Sequence, residues 1–299
     1  PLVVPSASPT PTTTLPTPSP TTQPTTDTAP GSTDAPDPTD APTTIPPTIP
    51  ASSAPSTPAV EPVPPMPRPV RILVIGDSTA NALGTGIVNW AAANPDRAQA
   101  EVVAAPGCGF LQGGERLVGE RMEATSDCDG WVADLVIPEI TALQPDIVVA
   151  MVTSWDLIDR RWDDGPLLTP FDPAYAEHLR ADYSAVVDGA LAAGAGSVAL
   201  IRHPVPDVWW LHDRTGQSDP VRHDAIFGLY DELSSGRPTV RVVDLAGWLG
   251  AQGLDTDQAT RPDGIHLDPA SATALTEAFL GEELLRVVLG MPGAWSDAP

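Results

Sequence analysis

Three side chains in this sequence are of the types that perform nucleophilic acyl chemistry: Ser78, Asp263 and His266. Ser78 lies in the stretch VRILVIGDSTANALG, residues 70–84, where an apolar run ends and an alanine-rich segment begins. At the start of a helix, free N–H groups and the helix dipole favour developing negative charge. A serine placed there can serve as a nucleophile, or it can simply cap the helix, since serine is a preferred N-cap residue.

A serine nucleophile requires a general base, and that base usually requires a third group to orient it. The stretch RPDGIHLD, residues 261–268, carries Asp263 three residues before His266. Its Pro-Asp-Gly sequence is typical of a tight turn, which would fold the carboxylate back towards the imidazole. The two motifs together favour the nucleophile over the cap. We therefore predict a triad of Ser78 as nucleophile, His266 as general base and Asp263 as the group that orients it.

The segments around these motifs alternate between strand-like and helix-like patterns. Short apolar runs rich in β-branched residues predict buried strands at 70–75, 100–105, 146–152, 197–202 and 240–245. Helical spacing predicts helices at 79–93, 131–143, 173–193, 221–235 and 269–289, the last with Asp268 as its N-cap. This alternation predicts an α/β fold, in which helices cover both faces of a five-stranded parallel sheet.

In an open parallel sheet, functional residues gather in the loops at the carboxyl ends of the strands. Ser78 directly follows the first predicted strand, and His266 lies past the last strand, just before the final helix. We therefore expect the fold to bring these two residues to the same edge of the sheet, although they are far apart in the sequence.

Residues 1–69 differ in composition from the rest of the chain. They contain 22 of the 37 prolines and no Phe, Trp or Tyr. Such a segment has little apolar surface to bury on folding, so we predict a disordered Pro/Thr-rich linker. We predict one catalytic domain over residues 70–292 and a C-terminal tail over 293–299. Because the chain begins at proline, we expect a signal or membrane segment upstream of residue 1.

The chain is strongly acidic, with a formal net charge of −24 at pH 7 and no lysine. An acidic surface repels phosphate backbones and anionic headgroups, which argues against binding to nucleic acid or to a membrane surface. The same charge can simply keep an extracellular or acid-tolerant protein soluble. No His, Cys, Asp and Glu cluster has metal-ligand spacing, so we predict no metal and no other cofactor.

The two cysteines, Cys108 and Cys128, are too few for a structural zinc site. Beside a Thr/Pro-rich segment, they favour a disulfide formed in an oxidising compartment. Two free buried thiols are the alternative.

The two catalytic motifs also carry a family resemblance. GDS after the first strand and DGIH before the last helix resemble the SGNH/GDSL hydrolases, over about residues 70–290. This resemblance implies a flavodoxin-like, three-layer α/β/α sandwich. More narrowly, GDSTANAL, APGCGF and RPDGIHL resemble the extracellular SGNH domains that follow a transmembrane acyltransferase in bacterial cell-surface O-acyltransferases. In those relatives a long Pro/Thr-rich linker commonly precedes the SGNH domain.

The resemblance implies the same triad and adds an oxyanion hole. The backbone N–H groups of Ser78 and Gly107 would bind the oxyanion, with Gly109 as an alternative to Gly107. The implied reaction is O-acetylation of a cell-envelope glycan through an acyl-serine, with an acyl donor and a glycan acceptor as partners. The implied location is the cell surface, tethered to an upstream transmembrane acyltransferase domain, or otherwise secreted. A secreted esterase or deacetylase and a non-catalytic glycan-binding domain are the alternatives.

One block departs from the family pattern. The family's third block usually reads Gly-x-Asn-Asp, with the asparagine donating to the oxyanion, but residues 153–156 here read Thr-Ser-Trp-Asp. Trp155 occupies the asparagine position, and we consider its indole N–H a candidate oxyanion donor or substrate contact. Loss of one oxyanion donor can lower a rate by about 10²–10³.

Other candidate substrate contacts rest on residue type alone. His203 follows the fourth predicted strand and could contact substrate, but a histidine hydrogen-bonded within its proline-rich loop is the alternative. Trp209 and Trp210 could form a platform for a sugar ring or a wall for an acyl chain, or they could simply pack.

Overall fold

The computed structural model describes residues 61–208 and 216–295. Its strands are β1 (Val70–Gly76), β2 (Ala98–Ala104), β3 (Glu115–Val118), β4 (Arg121–Ala124), β5 (Ile147–Met151), β6 (Arg160–Arg161), β7 (Val198–Arg202) and β8 (Val240–Asp244). Its α-helices are α1 (Ser78–Ala93), α2 (Ile137–Leu143), α3 (Pro173–Ala192), α4 (Pro220–Ser234), α5 (Leu245–Gln252), α6 (Pro269–Leu275) and α7 (Gly281–Leu289).

Five of the strands form a parallel sheet in the order β2-β1-β5-β7-β8. The chain places β2 on one side of β1 and then adds β5, β7 and β8 on the other side, which is the doubly wound arrangement of flavodoxin-like folds. The central strands are buried on both faces, as their continuous apolar sequences predict, and all five residues of β5 are buried. The predicted three-layer α/β/α sandwich with a five-stranded parallel sheet is confirmed.

Each face of the sheet has its own hydrophobic core. On one face, Tyr183 of α3, Tyr230 of α4 and Ile140 of α2 pack together against the sheet. On the other face, α1, α5, α6 and α7 pack together, with Trp90 and Leu284 among the buried residues. Because helices cover both faces of the sheet, polar side chains that act on a ligand are expected in the loops at the strand ends.

A second sheet was not predicted from the sequence. Strands β4, β3 and β6 form a small antiparallel sheet within the connections that flank β5. These strands are two to four residues long, and at least half of the residues in each are Arg or Glu. They are too short and too polar to give a strand signal.

Several helical boundaries also differ from the prediction. Helix α5 begins directly after β8 and was missed, because its first residue continues the apolar strand pattern. The two predicted helices at 131–143 and 269–289 are helical but contain π-helical turns, Val132–Val136 and Thr276–Leu280. The Asp268 side chain accepts hydrogen bonds from two N–H groups at the start of α6, so its predicted capping role is confirmed.

The described end of the predicted linker, residues 61–69, lies against the domain. Arg68 forms a bidentate ion pair with Asp146, at 2.7 and 2.6 Å. Val63 N–H donates to Glu282 at 3.2 Å, and its side chain packs against the core on the α1 face. Across the described ranges, no helix combines the length and the apolar character needed to cross a membrane.

Gly76, the last residue of β1, is expected to be intolerant of any side chain. Its φ is +146°, and a Cβ atom there would lie 1.7 Å from the carbonyl oxygen of Met151. We expect Gly76→Ala to lower the free energy of unfolding by about 3 kcal/mol or more, because the two strands must separate. Denaturant unfolding followed by circular dichroism checks this expectation.

Gly228 on the exposed side of α4 provides the matched control. A Cβ atom at Gly228 meets no atom within 4 Å. Gly228→Ala should leave the free energy of unfolding unchanged or raise it by about 0.5–1 kcal/mol, because alanine is the better helix former. Equal stability of the two variants would contradict the close approach of β1 and β5.

Candidate active site

Ser78 is the first residue of α1 and lies directly after β1. The N-cap is its neighbour Asp77, whose fully buried side chain accepts a hydrogen bond from Thr79 N–H at 2.8 Å. The same carboxylate accepts hydrogen bonds from the backbone and hydroxyl of Thr153, at the end of β5. Because Asp77 caps the helix, the Ser78 side chain is not needed for capping and remains at the surface of the sheet edge.

The structure brings Ser78, His266 and Asp263 into one hydrogen-bonded chain. His266 Nε2 lies 2.7 Å from Ser78 Oγ, and His266 Nδ1 lies 2.6 Å from Asp263 Oδ2. The other oxygen of Asp263 accepts hydrogen bonds from the backbone N–H groups of Ile265 and His266, at 2.9 and 2.7 Å. These bonds fix the carboxylate relative to the imidazole ring.

The turn that carries Asp263 and His266 is held against the loop that follows β7. Gly264, with φ +76°, lies so close to Asp207 that a Cβ atom would be 1.8 Å from the Asp207 carbonyl oxygen. Asp207 N–H donates to the Gly264 carbonyl at 2.8 Å, and Arg261 donates to the Val205 carbonyl at 2.9 Å. The Pro-Asp-Gly turn is therefore held by these contacts with the loop after β7, in addition to being favoured by its own sequence.

Hydrogen bonding keeps Asp263 ionised. Burial alone would raise the pKa of Asp263, but hydrogen bonds from the His266 ring, the His266 backbone and Ile265 N–H outweigh it and lower the pKa. A charged Asp263 accepts a hydrogen bond from His266 Nδ1–H, which leaves Nε2 free to accept the hydroxyl proton of Ser78. This is the tautomer that a general base requires.

The loop after β2 lies beside Ser78 and offers backbone N–H groups. Ala105 N–H donates to the Gly76 carbonyl at 2.9 Å, which joins this loop to the residues before Ser78. Gly107 has φ +83° and is half-buried, whereas Gly109 is buried. Within the described residues neither glycine N–H has a protein acceptor. The greater exposure of Gly107 makes it the better placed of the two to meet a ligand.

Asp156 was not predicted from the sequence as a site residue. Its side chain supports the loop after β2 through hydrogen bonds from the loop backbone. Its fully buried carboxylate accepts hydrogen bonds from Phe110 N–H at 2.8 Å, Leu111 N–H at 3.1 Å and the Tyr183 hydroxyl at 2.8 Å. Burial raises the pKa of Asp156, while Arg160 and these three hydrogen bonds oppose the effect. The sequence signal that could have identified Asp156 was its position next to Trp155, in the block after β5.

Trp155 begins a short 3₁₀ turn after β5 and is half-buried. Its ring lies beneath the guanidinium group of Arg116, 4.2 Å from the ring centroid. Among the described residues its indole N–H donates no hydrogen bond. The structure thus places Trp155 in the loop next to the one that carries Asp77 and Ser78, with a free donor.

Cys108 and Cys128 form a disulfide, with sulfur atoms 2.02 Å apart and Cα atoms 5.3 Å apart. The prediction of a disulfide is confirmed over the alternative of two free thiols. On the chain-entropy estimate, closing a loop of this size stabilises the fold by about 3 kcal/mol. The bond also ties the residue after Gly107 to the segment that precedes α2.

His203 lies away from the open surface. It is fully buried, and its Nε2 lies 2.8 Å from His223 Nδ1, while His223 Nε2 lies 2.8 Å from the Gln217 carbonyl. Burial lowers the pKa of His203 well below its usual range, so the ring is neutral. This position favours the alternative, a histidine held within its loop, over contact with substrate. Trp209 and Trp210 lie outside the described residues.

In the described ranges, no group of three or more His, Cys, Asp or Glu residues is arranged to hold a metal ion. The site contains a hydroxyl, an imidazole and a carboxylate, joined in that order by hydrogen bonds and next to backbone N–H groups. This arrangement can activate a serine hydroxyl and stabilise negative charge on a carbonyl oxygen.

Several solved structures are similar to this chain. A candidate GDSL-like lipase from Parabacteroides merdae has a TM-score of 0.45 and 16% identity, covering 73% of this chain and 97% of that one. The periplasmic domain of a lipopolysaccharide acetyltransferase from Salmonella ser. Paratyphi A has a TM-score of 0.46 and 13% identity, and the match covers 75% of this chain and 85% of that one. A candidate arylesterase from Agrobacterium tumefaciens has a TM-score of 0.40 and 14% identity, and the match covers 70% of this chain and 95% of that one.

No curated protein matches the sequence. Residues 51–281 match the family described as the SGNH domain that is fused to AT3 domains. The match covers most of the chain and includes both catalytic motifs. The chain belongs to this SGNH family and is an enzyme of acyl transfer or ester hydrolysis.

Proposed function

We propose that this domain transfers a small acyl group, acetyl, to a hydroxyl of a cell-envelope glycan through an acyl-Ser78 intermediate. The observation that carries the proposal is the unbroken series of hydrogen bonds from Ser78 Oγ through the His266 ring to Asp263. The family description supports transfer, because it names fusion of the SGNH domain to AT3 domains.

In the first half of the reaction, His266 Nε2 takes the proton of Ser78 Oγ as the oxygen attacks the acyl carbonyl carbon. Negative charge develops on the carbonyl oxygen, where the N–H groups of Ser78 and Gly107 would stabilise it. The tetrahedral intermediate then expels the donor oxygen, which receives the proton held by His266. The products of this half-reaction are the acyl ester on Ser78 and the free donor alcohol.

In the second half, the acceptor hydroxyl gives its proton to His266 and attacks the acyl carbon. The second tetrahedral intermediate collapses, and Ser78 Oγ recovers the proton from His266. Asp263 stabilises the imidazolium that forms in each half without taking up the proton itself. The net result is movement of one acyl group from donor to acceptor.

We also propose that the domain works outside the cytoplasm. The disulfide between Cys108 and Cys128 supports this location, because such bonds persist in oxidising compartments. The net charge of −24 disfavours polyanionic acceptors and is compatible with a neutral glycan. Tethering to an upstream transmembrane acyltransferase domain fits the family description.

Hydrolysis of an acylated carbohydrate is the second candidate function. The exposure of the triad favours it, because 36% of the His266 side chain and 44% of the Asp263 side chain are accessible to solvent. Water could therefore reach the acyl-serine unless the acceptor displaces it.

The test is to supply p-nitrophenyl acetate with and without a panel of neutral oligosaccharides. Nitrophenol release, free acetate and acetylated sugar are quantified together. Transfer predicts that an acceptor sugar takes acetyl at the expense of free acetate, and that Ser78→Ala removes both products. Quantitative release of acetate with every sugar would favour the hydrolase, and equal turnover by wild type and Ser78→Ala would favour the non-catalytic glycan-binding domain.

A further inference from the structure

Arg116, on the small antiparallel sheet, contacts two parts of the candidate oxyanion site at once. One guanidinium nitrogen donates to the Gly107 carbonyl at 2.7 Å. The face of the same group lies 4.2 Å from the centroid of the Trp155 ring. Gly107 follows β2 and Trp155 follows β5, so Arg116 links the loops that leave two different strands.

The hydrogen bond from Arg116 restrains the loop after β2 at Gly107. Space around Gly107 is open, since a Cβ atom there would meet nothing within 4 Å. Its φ of +83° places it in a conformation that glycine adopts without strain but does not by itself prefer. The nearby restraints are the hydrogen bond from Cys108 N–H to the Ala105 carbonyl, the disulfide, and the hydrogen bond from the Trp131 indole to the Gly109 carbonyl at 2.9 Å. A charge-assisted hydrogen bond to the Gly107 carbonyl adds a directional restraint on this turn.

The positive charge of Arg116 is poorly exposed to water. Only 12% of its side chain is accessible, and its Nε atom is buried without a hydrogen-bond partner. Glu123, the nearest carboxylate in an ion pair, lies 3.9 Å away with 48% of its side chain exposed. A cation that is desolvated on one side and weakly paired on the other retains much of its field.

We propose that Arg116 is a positioning residue for the acyl-transfer reaction: it holds Gly107 and Trp155 in the geometry that receives the oxyanion. This inference rests on the proposed function. Guanidinium is suited to the task, because its planar group can stack on an aromatic ring while its edge donates a hydrogen bond. Lysine can supply the charge but not both contacts together.

The test compares Arg116→Met and Arg116→Lys with Arg121→Met. Arg121 is an exposed arginine on β4 whose side chain forms no hydrogen bond or ion pair with the described residues. With p-nitrophenyl acetate, we expect Arg116→Met to lower kcat by about 10–100-fold with KM within about threefold, because the transition state is affected and substrate binding is not. Arg116→Lys should be intermediate, and Arg121→Met should match wild type.

Two further measurements separate positioning from a general structural role. Guanidinium ions at millimolar concentration should restore part of the activity of Arg116→Ala and none to Ser78→Ala. Hydrogen–deuterium exchange should be faster in Arg116→Met than in Arg121→Met for the peptide that covers residues 105–112. This second readout does not depend on turnover.

Unchanged kcat and unchanged exchange in Arg116→Met would overturn the inference. A rise in KM alone would also overturn it, because Arg116 would then bind substrate in the ground state. Loss of activity that tracks a lowered melting temperature, without rescue by guanidinium, would reduce Arg116 to a residue needed for folding. Failure of the proposed function has a different signature: wild type and Ser78→Ala would then be indistinguishable.

Discussion

Replacing Ser78 with alanine is expected to lower kcat/KM for an activated acetyl ester by about 10⁴-fold or more, because the acyl-accepting oxygen is removed. Folding should be unaffected. The Ser78 hydroxyl is bonded to His266 alone among the described residues, and Asp77 already caps α1. Initial rates with p-nitrophenyl acetate, together with a thermal unfolding curve, check both expectations.

Ser235→Ala is the matched control for this experiment. Ser235 is an exposed serine at the C-terminal end of α4, on an element that contributes nothing to the triad. It should retain wild-type kcat/KM and wild-type melting temperature. If Ser78→Ala kept more than a tenth of wild-type activity at unchanged stability, Ser78 would not be the nucleophile.

Replacing Asp263 with asparagine is expected to lower kcat by about 10³–10⁴-fold, since the imidazole loses the anion that orients it. An asparagine side chain can present its amide N–H to His266 Nδ1. The ring would then carry its proton on Nε2, facing Ser78, and could not accept the hydroxyl proton. Backbone N–H groups of Ile265 and His266 can still bond to the remaining amide oxygen, so the turn should persist.

Asp172→Asn is the matched control for the loss of a hydrogen-bonded carboxylate. Asp172 also accepts hydrogen bonds from a backbone N–H and a hydroxyl, both of Thr169, and those bonds lower its pKa. It lies before α3, away from the triad. Its substitution should change kcat by less than about threefold, whereas similar losses in the two variants would contradict a specific role for Asp263.

The lowered pKa of Asp263 also has a consequence for the dependence of stability on pH. A carboxyl group whose pKa is lower in the folded state stabilises the fold above its unfolded pKa, and that contribution is lost as the pH falls through the folded pKa. Asp263 should therefore stay ionised, and able to orient His266, into the acidic range. In Asp263→Asn this acid-side contribution to stability should be absent.

Residues close together in sequence made the core of the site predictable. Asp263 and His266 are three positions apart in a turn with favourable local chemistry, so their contact could be inferred before any fold was known. Ser78 could be joined to them because the alternation of strands and helices places all carboxyl ends at one edge. The same alternation predicted the parallel sheet and both of its helical layers.

Contacts that depend on unpredicted elements could not be inferred in this way. Arg116 reaches Gly107 and Trp155 from a four-residue strand with too little apolar character to be recognised. Asp156 bonds to the backbone of residues 110 and 111, and nothing in their sequence indicates an internal carboxylate partner. His203 was assigned to the correct edge, but its hydrogen-bond partner His223 lies on α4 and could not be inferred from the sequence.

The most direct test is to mix the protein with an activated acetyl ester, quench in acid and map the acetyl group by mass spectrometry. We predict a single acetyl group on the peptide that contains Ser78 in wild type, a much slower appearance of that group in Asp263→Asn, and its absence in Ser78→Ala. Ester turnover with acetyl found only on another residue, or with no adduct at any quench time, would contradict the account.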